Sequence, residues 1–190
     1  MQQVELFFDA EVLPEGFSYQ ENFLTDEIEA GLLAMIAKAP LQEAHYKEWL
    51  AKRRIVSYGG RYDFSKHELK AAAPLPEWLH ALRSAIARWS GLQASEFNHA
   101  IIAEYQPGTQ LGWHRDIHHF EEIIGVSLSG TARMRFRPYP PSENSRAACT
   151  LELKPRSIYV LRGPSRWQWQ HAISPTKCTR YSITFRTLRK

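Results

Sequence analysis

Cysteine is scarce in this chain, and its scarcity excludes several architectures at once. Only Cys149 and Cys178 occur, neither in a Cys-x-x-Cys pair, which argues against a disulfide framework and against a cysteine-based structural zinc site. Long apolar runs are missing too, and the longest fall far short of the roughly 20 residues a membrane-spanning helix needs. The acidic stretch from Met1 to Glu11 has neither the basic start nor the small-residue cleavage pattern of a signal peptide. No repeat, low-complexity tract or linker divides the 190 residues. With 44% hydrophobic residues, the expectation is a single cytoplasmic domain, 1–190, with a sizeable core and no membrane association.

Charge is also modest. A net +4 and a pI near 9.1 permit a nucleic-acid partner without demanding one. The distribution says more than the total. Lys52, Arg53, Arg54, Arg61, Lys66 and Lys70 crowd one region that also holds Tyr58, Tyr62 and Phe64. Basic groups neutralise phosphates and aromatic rings stack on unpaired bases, although a solvated helix and loop rich in Lys and Arg has the same composition.

Helical signals come first. Asp26 to Lys38 reads as a helix with Asp26-x-x-Glu29 at its start and Ile28, Leu32, Met35 and Ile36 facing the core. Pro76 to Ser90 reads as a second, with Trp78, Leu82, Ile86 and Trp89 at helical spacing and Gly91 as terminator. Strand signals follow at Ile101–Tyr105, Leu111–Trp113, Glu122–Leu128, Ala132–Arg137, Leu153–Leu161, Arg166–Ile173 and Arg180–Arg186, with an exposed loop from Pro138 to Ala147. Helices before strands give an α+β class.

Within this frame, His114-x-Asp116 followed by His171 carries the chemistry. Two imidazoles and one carboxylate cover three of six octahedral positions and leave three open, the arrangement associated with non-heme Fe(II) oxygenases. The short motif alone is weak: eight His among 20 Asp and Glu supply about one His-x-acid pair by chance, and His119-Phe-Glu121 is a second. Context separates them. The run Ile101 to Tyr105 ends in a Pro-Gly turn, and Leu111-Gly-Trp113 leads directly into His114. If residues 113 to 116 are extended, His114 and Asp116 share a face while Arg115 points away.

The last strand has two chemically distinct faces. Tyr181, Ile183 and Phe185 alternate with Arg180, Ser182, Thr184 and Arg186. A half-buried antiparallel strand would put the polar face in water; a barrel would turn it inward, where two guanidiniums need an anion to meet them. Arginine forks match carboxylates. The run from Arg166 to Ile173 places Trp167, Trp169 and His171 on one side, where the indoles would shield the histidine.

The set Tyr105-x-Pro-Gly108, His114-x-Asp116, Arg166-x-x-Trp169-x-His171-x-Ile173 and Arg180-x-Ser-x-Thr-x-Arg186 resembles the AlkB-type Fe(II)/2-oxoglutarate dioxygenases, over roughly Phe23 to Arg186. The resemblance implies a double-stranded β-helix (jelly-roll, cupin-like) core over 98–190, preceded over 1–97 by helices and a nucleotide-recognition lid. It implies His114, Asp116 and His171 as Fe(II) ligands. It assigns Arg180 to the distal carboxylate of 2-oxoglutarate and Arg186 to the chelating end, with Tyr105 and Ser182 adding hydrogen bonds. Tyr58, Tyr62 and Phe64 become lid or base contacts. Trp113, His118, His119 and Arg133 are further candidate pocket residues, which no pattern in the sequence ranks. The implied reaction uses O2 to remove N-alkyl groups from bases of DNA or RNA, tRNA included, releasing succinate, CO2 and an aldehyde, on a single-stranded or flipped target. Two departures bear on recognition. Ala103 stands where some members have asparagine, and His118 stands where the best-studied members have a second acid. Two other readings use the same residues: a hydroxylase of a protein or small molecule, and a catalytically silent RNA-binding module. Nothing in the sequence speaks to oligomeric state.

Overall fold

The computed structural model describes residues 13–46, 49–63, 68–142 and 148–190. The chain forms β1 (Phe17–Gln20) and α1 (Asp26–Ile36), then a long hairpin, β2 (Gln42–Tyr46) and β3 (Trp49–Tyr58), and a short one, β4 (Arg61–Asp63) and β5 (Glu68–Lys70). A 3-10 turn leads into α2 (His80–Ser90). From there the chain is mostly strand: β6 (His99–Tyr105), β7 (Leu111–His114), β8 (Phe120–Leu128), β9 (Ala132–Pro138), β10 (Cys149–Leu153) and β11 (Ile158–Leu161). One helical turn, α3 (Pro164–Trp167), precedes β12 (Trp169–Ile173) and β13 (Arg180–Leu188).

Apart from the β4–β5 hairpin, which stands alone, the strands build two antiparallel sheets, the double-stranded β-helix. The major sheet runs β1-β11-β8-β13-β6-β3-β2 and the minor one β10-β9-β12-β7. Period-two alternation gives the major sheet an inner and an outer face. Outward, Ile102, Ile124, Val126, Ile183 and Phe185 meet Leu32, Ile36, Leu82 and Ile86 of the two helices in one apolar cluster. Inward, Ile123, Tyr159 and Leu161 meet Met134, Phe136 and Ile173 of the minor sheet in a second. The site occupies the polar part of this inter-sheet space. Three strands of the major sheet come from before residue 98, so the helix-and-lid region also supplies sheet.

Both helices form where the spacing places them. Thr25 caps α1 by accepting a hydrogen bond from the Ile28 amide at 3.3 Å, and Asp26, Glu27 and Glu29 in the first turn complement the helix dipole. The helix ends at Ile36 rather than Lys38; its buried stripe is Leu32 and Ile36, while Ile28 is 50% exposed rather than in the core. α2 buries Leu82, Ile86 and Ala87 and stops at Gly91, whose φ of 75° suits the left-handed cap.

Three segments differ from the sequence expectation. Leu153 to Leu161 is two strands, because Arg156 takes a positive φ of 62° and its amide and carbonyl leave the ladder to bond Ser127, Phe23 and Leu24. Arg166 to Ile173 is a helical turn followed by a strand, since Pro164 opens a turn that carries Arg166 and Trp167. Trp167 therefore does not share a face with His171 and donates from Nε1 to Glu121 at 3.0 Å, whereas Trp169 stays in the inter-sheet cluster. The basic region after Trp49 is not a helix and loop: it opens as β3, paired with β6.

Candidate metal centre and anion pocket

Strand pairing sets the first two donors. His114 stands opposite His171 in the β7–β12 register, and directly opposed residues project to one face, so the rings lie 4.2 Å apart. Asp116 follows β7 in a loop, and its Oδ2 lies 3.6 Å from His171 Nε2. One ligand atom from each of the three falls within 4.8 Å of the others, a triangle one ion can bridge. His119-Phe-Glu121 enters no such group among the described residues; Glu121 is taken by Trp167 and the His119 ring packs 5.6 Å from Tyr62.

Local bonds put these groups in the state a metal needs. His114 Nδ1 sits 2.9 Å from the Gly112 carbonyl, which only accepts, so Nδ1 carries the hydrogen and Nε2 keeps its lone pair. Burial pushes the His114 imidazole below its ordinary range, and burial together with neighbouring His114 pushes His171 down to about 3. Both imidazoles are neutral at pH 7, the state a metal ligand needs. Burial would raise Asp116, but Arg186 and the two histidines outweigh it and hold the carboxyl well below the usual range.

Two arginines fix the carboxylate. Arg186 donates to Asp116 Oδ1 from Nη2 at 2.9 Å and from Nε at 3.2 Å. Arg166, 2% exposed, donates from Nη2 to the carbonyls of Ile117 and Phe120, both at 2.8 Å, and so pins the loop that carries Asp116.

The inter-sheet space also holds a buried cationic group suited to an anion. The polar face of β13 turns inward, as the barrel reading required: Arg180 is 1% exposed and Ser182 is buried. Arg180 Nε donates to Ser127 Oγ at 3.1 Å, and its guanidinium lies 5.1 Å from the Tyr105 ring centre. Among the described residues no carboxylate pairs with Arg180. A buried cation matched only by a hydroxyl and an aromatic face is costly until an anion arrives. Tyr105 accepts from Arg53 Nη1 at 3.5 Å, and Ser182 stands in register between Ser127 and Ala103.

The sequence gives no role to Ser127 or Tyr159, and it offers Arg53 only as one of a basic cluster rather than as a partner of Tyr105. Gly125 was the available signal for one of them, an isolated glycine in an apolar strand that marks a close approach. A Cβ there would come within 2.2 Å of Tyr159 Cζ, so the glycine makes room for the ring to cross β8. Burial pushes the Tyr159 hydroxyl up to about 12, with Arg180 pulling the other way.

The remaining expected contacts divide. His118 joins Arg115, Asp116, Tyr139, Arg166, Trp167 and Gln170 around a cavity of about 350 Å3 that opens beside the triangle. Tyr62 reaches this side through His119, whose ring lies tilted against His118 with centres 4.1 Å apart. Tyr58 does not reach it: its alternation with Ile55 and Ser57 places it on the helix side of β3, 8% exposed in the core. Trp113, next to inward-facing His114, projects from the opposite face of the minor sheet, against Arg135 and Arg137. Phe64 and Lys66 lie outside the described residues.

The family model of the 2OG-Fe(II) oxygenase superfamily matches residues 22–186. The chain belongs to that superfamily. It is a dioxygenase whose cofactors are Fe(II), 2-oxoglutarate and O2. Relatives of this oxygenase carry AlkB-type names: it is 30% identical over 172 residues to the tRNA (carboxymethyluridine(34)-5-O)-methyltransferase alkbh8 of Xenopus tropicalis, across 87% of this chain and 26% of that one. It thus spans about a quarter of that relative's length. Among solved structures, the oxygenase fold matches OsALKBH1 with a TM-score of 0.73 at 15% identity, covering 93% of this chain and 100% of that one. It matches a Pseudomonas putida prolyl-4-hydroxylase with a TM-score of 0.59 at 16% identity, over 92% and 93%. No helix among the described residues is long and apolar enough to cross a membrane.

Proposed function

We propose that this enzyme oxidatively removes N-alkyl groups from nucleic acid bases, with His114, Asp116 and His171 holding Fe(II) and Arg180 anchoring 2-oxoglutarate. The observation that carries the assignment is the pairing of a triangle of two neutral imidazoles and one carboxylate with a buried guanidinium that, among the described residues, has no carboxylate partner. The donor set suits Fe(II), and a dicarboxylate suits the charge of the pocket. When bound, the iron and 2-oxoglutarate would supply the oxidation of an alkyl carbon by O2, one oxygen atom going to that carbon and the other to succinate, with CO2 released.

The chain's residues do the positioning. Arg186 orients Asp116, leaving Oδ2 for the metal. Arg180 and Ser127 hold the distal carboxylate, Tyr105 and Ser182 add hydrogen bonds, and the Tyr159 ring keeps water out of the inter-sheet space. Arg186 lies near the chelating end. His118, Tyr139 and Trp167 offer rings at the cavity mouth for stacking on a base, and Tyr62 borders it through His119. A base within a duplex cannot enter such a cavity, so the target is single-stranded or flipped. Hydroxylation of an N-alkyl carbon gives a hemiaminal that releases an aldehyde and leaves the free base. The names of the AlkB-type relatives agree with a nucleic-acid substrate in this reading.

Single strands carrying 1-methyladenine or 3-methylcytosine, as DNA, RNA and tRNA, test the proposal by release of formaldehyde stoichiometric with succinate. Absence of turnover on every methylated nucleic acid, with 2-oxoglutarate still binding, transfers the site to protein or small-molecule hydroxylation.

A further inference from the structure

The minor sheet has an outer face that the reaction does not use. β9 turns Met134 and Phe136 inward and Arg133, Arg135 and Arg137 outward, so three arginine side chains leave one face at a backbone repeat of about 6.8 Å. Trp113 of β7, which lies beyond β12 in the same sheet, reaches two of them, with Arg137 4.6 Å and Arg135 5.0 Å from its ring centre. Among the described residues, no carboxylate pairs with any of the three. Glu152 stands across from Arg133 in the register without forming an ion pair. Arg135 Nε is buried with no hydrogen-bond partner.

The row leads to the site. Arg137 Nε donates to Gln170 Oε1 at 2.8 Å, and Gln170 lines the cavity that Asp116 borders. Tyr139, two residues beyond Arg137 and 41% exposed, lies at the same mouth with the Arg115 guanidinium 3.7 Å above its ring.

We infer that this outer face is a track for the phosphate backbone of single-stranded nucleic acid, which leads the strand over Arg133, Arg135 and Arg137 to the cavity mouth. The inference rests on the nucleic-acid reading of the site and names where the polymer outside the reacting nucleotide lies. Three like charges in a row repel one another, and a ligand with regularly repeated negative charge relieves all three. Strand geometry roots the three side chains at a spacing from which flexible guanidiniums can meet successive phosphates of an extended chain. An exposed ring at the end of the row favours a polymer with stackable bases over an acidic peptide.

The test is fluorescence anisotropy of short labelled single strands, RNA and DNA, titrated with the full chain over a range of salt. Releasing counterions from three phosphates contributes about 2 to the log–log salt slope, at about 0.7 per contact. Simultaneous replacement of Arg133, Arg135 and Arg137 by Gln is expected to lower the slope by that amount and to raise KM for a methylated oligonucleotide while sparing kcat. Replacement of all three by Lys keeps the charge and is expected to keep the slope; thermal melting confirms that each variant is folded. Arg133→Gln alone, the exposed member, is expected to take about one third of the effect. Demethylation by the wild type with an unchanged slope in the Gln variant overturns the track alone. Slope loss without demethylation of any methylated strand leaves the track standing and overturns the dealkylation reading. A wild type that binds no single strand, or binds an acidic peptide of equal charge as tightly, overturns the track.

Discussion

Arg186 and Asp116 are joined through a single carboxylate oxygen: both Nη2 and Nε of the arginine point at Oδ1, while Oδ2 faces His171. The bond divides the carboxylate into a held half and a free half. Groups that orient a metal ligand in this way affect the metal as strongly as some ligands do. Arg186→Gln is therefore expected to weaken Mn(II) binding by about 10- to 100-fold. Arg186→Lys, which keeps the charge and loses the fork, is expected to fall between. Metal titration followed by electron paramagnetic resonance reads both; unchanged affinity in Arg186→Gln counts against this role.

Arg180 predicts effects of opposite sign on stability and binding. Among the described residues its buried charge meets Ser127 and the face of Tyr105 but no carboxylate, so Arg180→Met is expected to raise the melting temperature of the metal-free protein. The same change is expected to cost about 100-fold in 2-oxoglutarate affinity, the loss of a charge-assisted contact. Calorimetric titration of the Mn(II)-loaded protein and a thermal melt check the two halves separately.

Gly125 and Tyr159 form a steric pair. A methyl group at 125 overlaps the ring, and Gly125→Ala is expected to destabilise the fold by about 1–3 kcal/mol through overpacking. Tyr159→Leu in the same chain is expected to recover part of that loss. Urea denaturation of the two single variants and the double variant supplies the cycle; strict additivity contradicts the contact.

Stability should depend on pH through His171. Its folded value is about 3 against an ordinary 6.5, so between these limits the unfolded chain binds a proton that the folded chain does not. The contribution is present above pH 6.5 and is lost as pH falls through that window. The metal-free protein is expected to melt at progressively lower temperature from pH 6.5 downward, and His171→Asn is expected to flatten the profile. Identical profiles in the two proteins contradict the burial of a neutral imidazole.

Much of this was legible in the residues because it follows period two. The alternation in β13 and β9 placed Arg180, Ser182, Met134 and Phe136 on their correct faces, and His114 and His171 met because their strands pair in register. What escaped depends on distance across the fold. Tyr159 approaches Arg180 only because Gly125 lets its ring cross a strand 34 residues earlier in the chain. Tyr58 looked like a stacking ring because composition does not say which face of β3 it takes; its pairing with Ala100 on the helix side decides that. Trp113 misled for the same reason, one residue out of phase with His114. Arg166 and Trp167 read as strand because alternation across a Pro-initiated turn mimics it over so few residues.

The most direct measurement is a crystal structure with Mn(II) and 2-oxoglutarate bound. The account predicts one ion ligated by Nε2 of His114, an oxygen of Asp116 and a ring nitrogen of His171, with the distal carboxylate of 2-oxoglutarate on Arg180. An ion held elsewhere, or a co-substrate whose distal carboxylate leaves Arg180 unpaired, contradicts it.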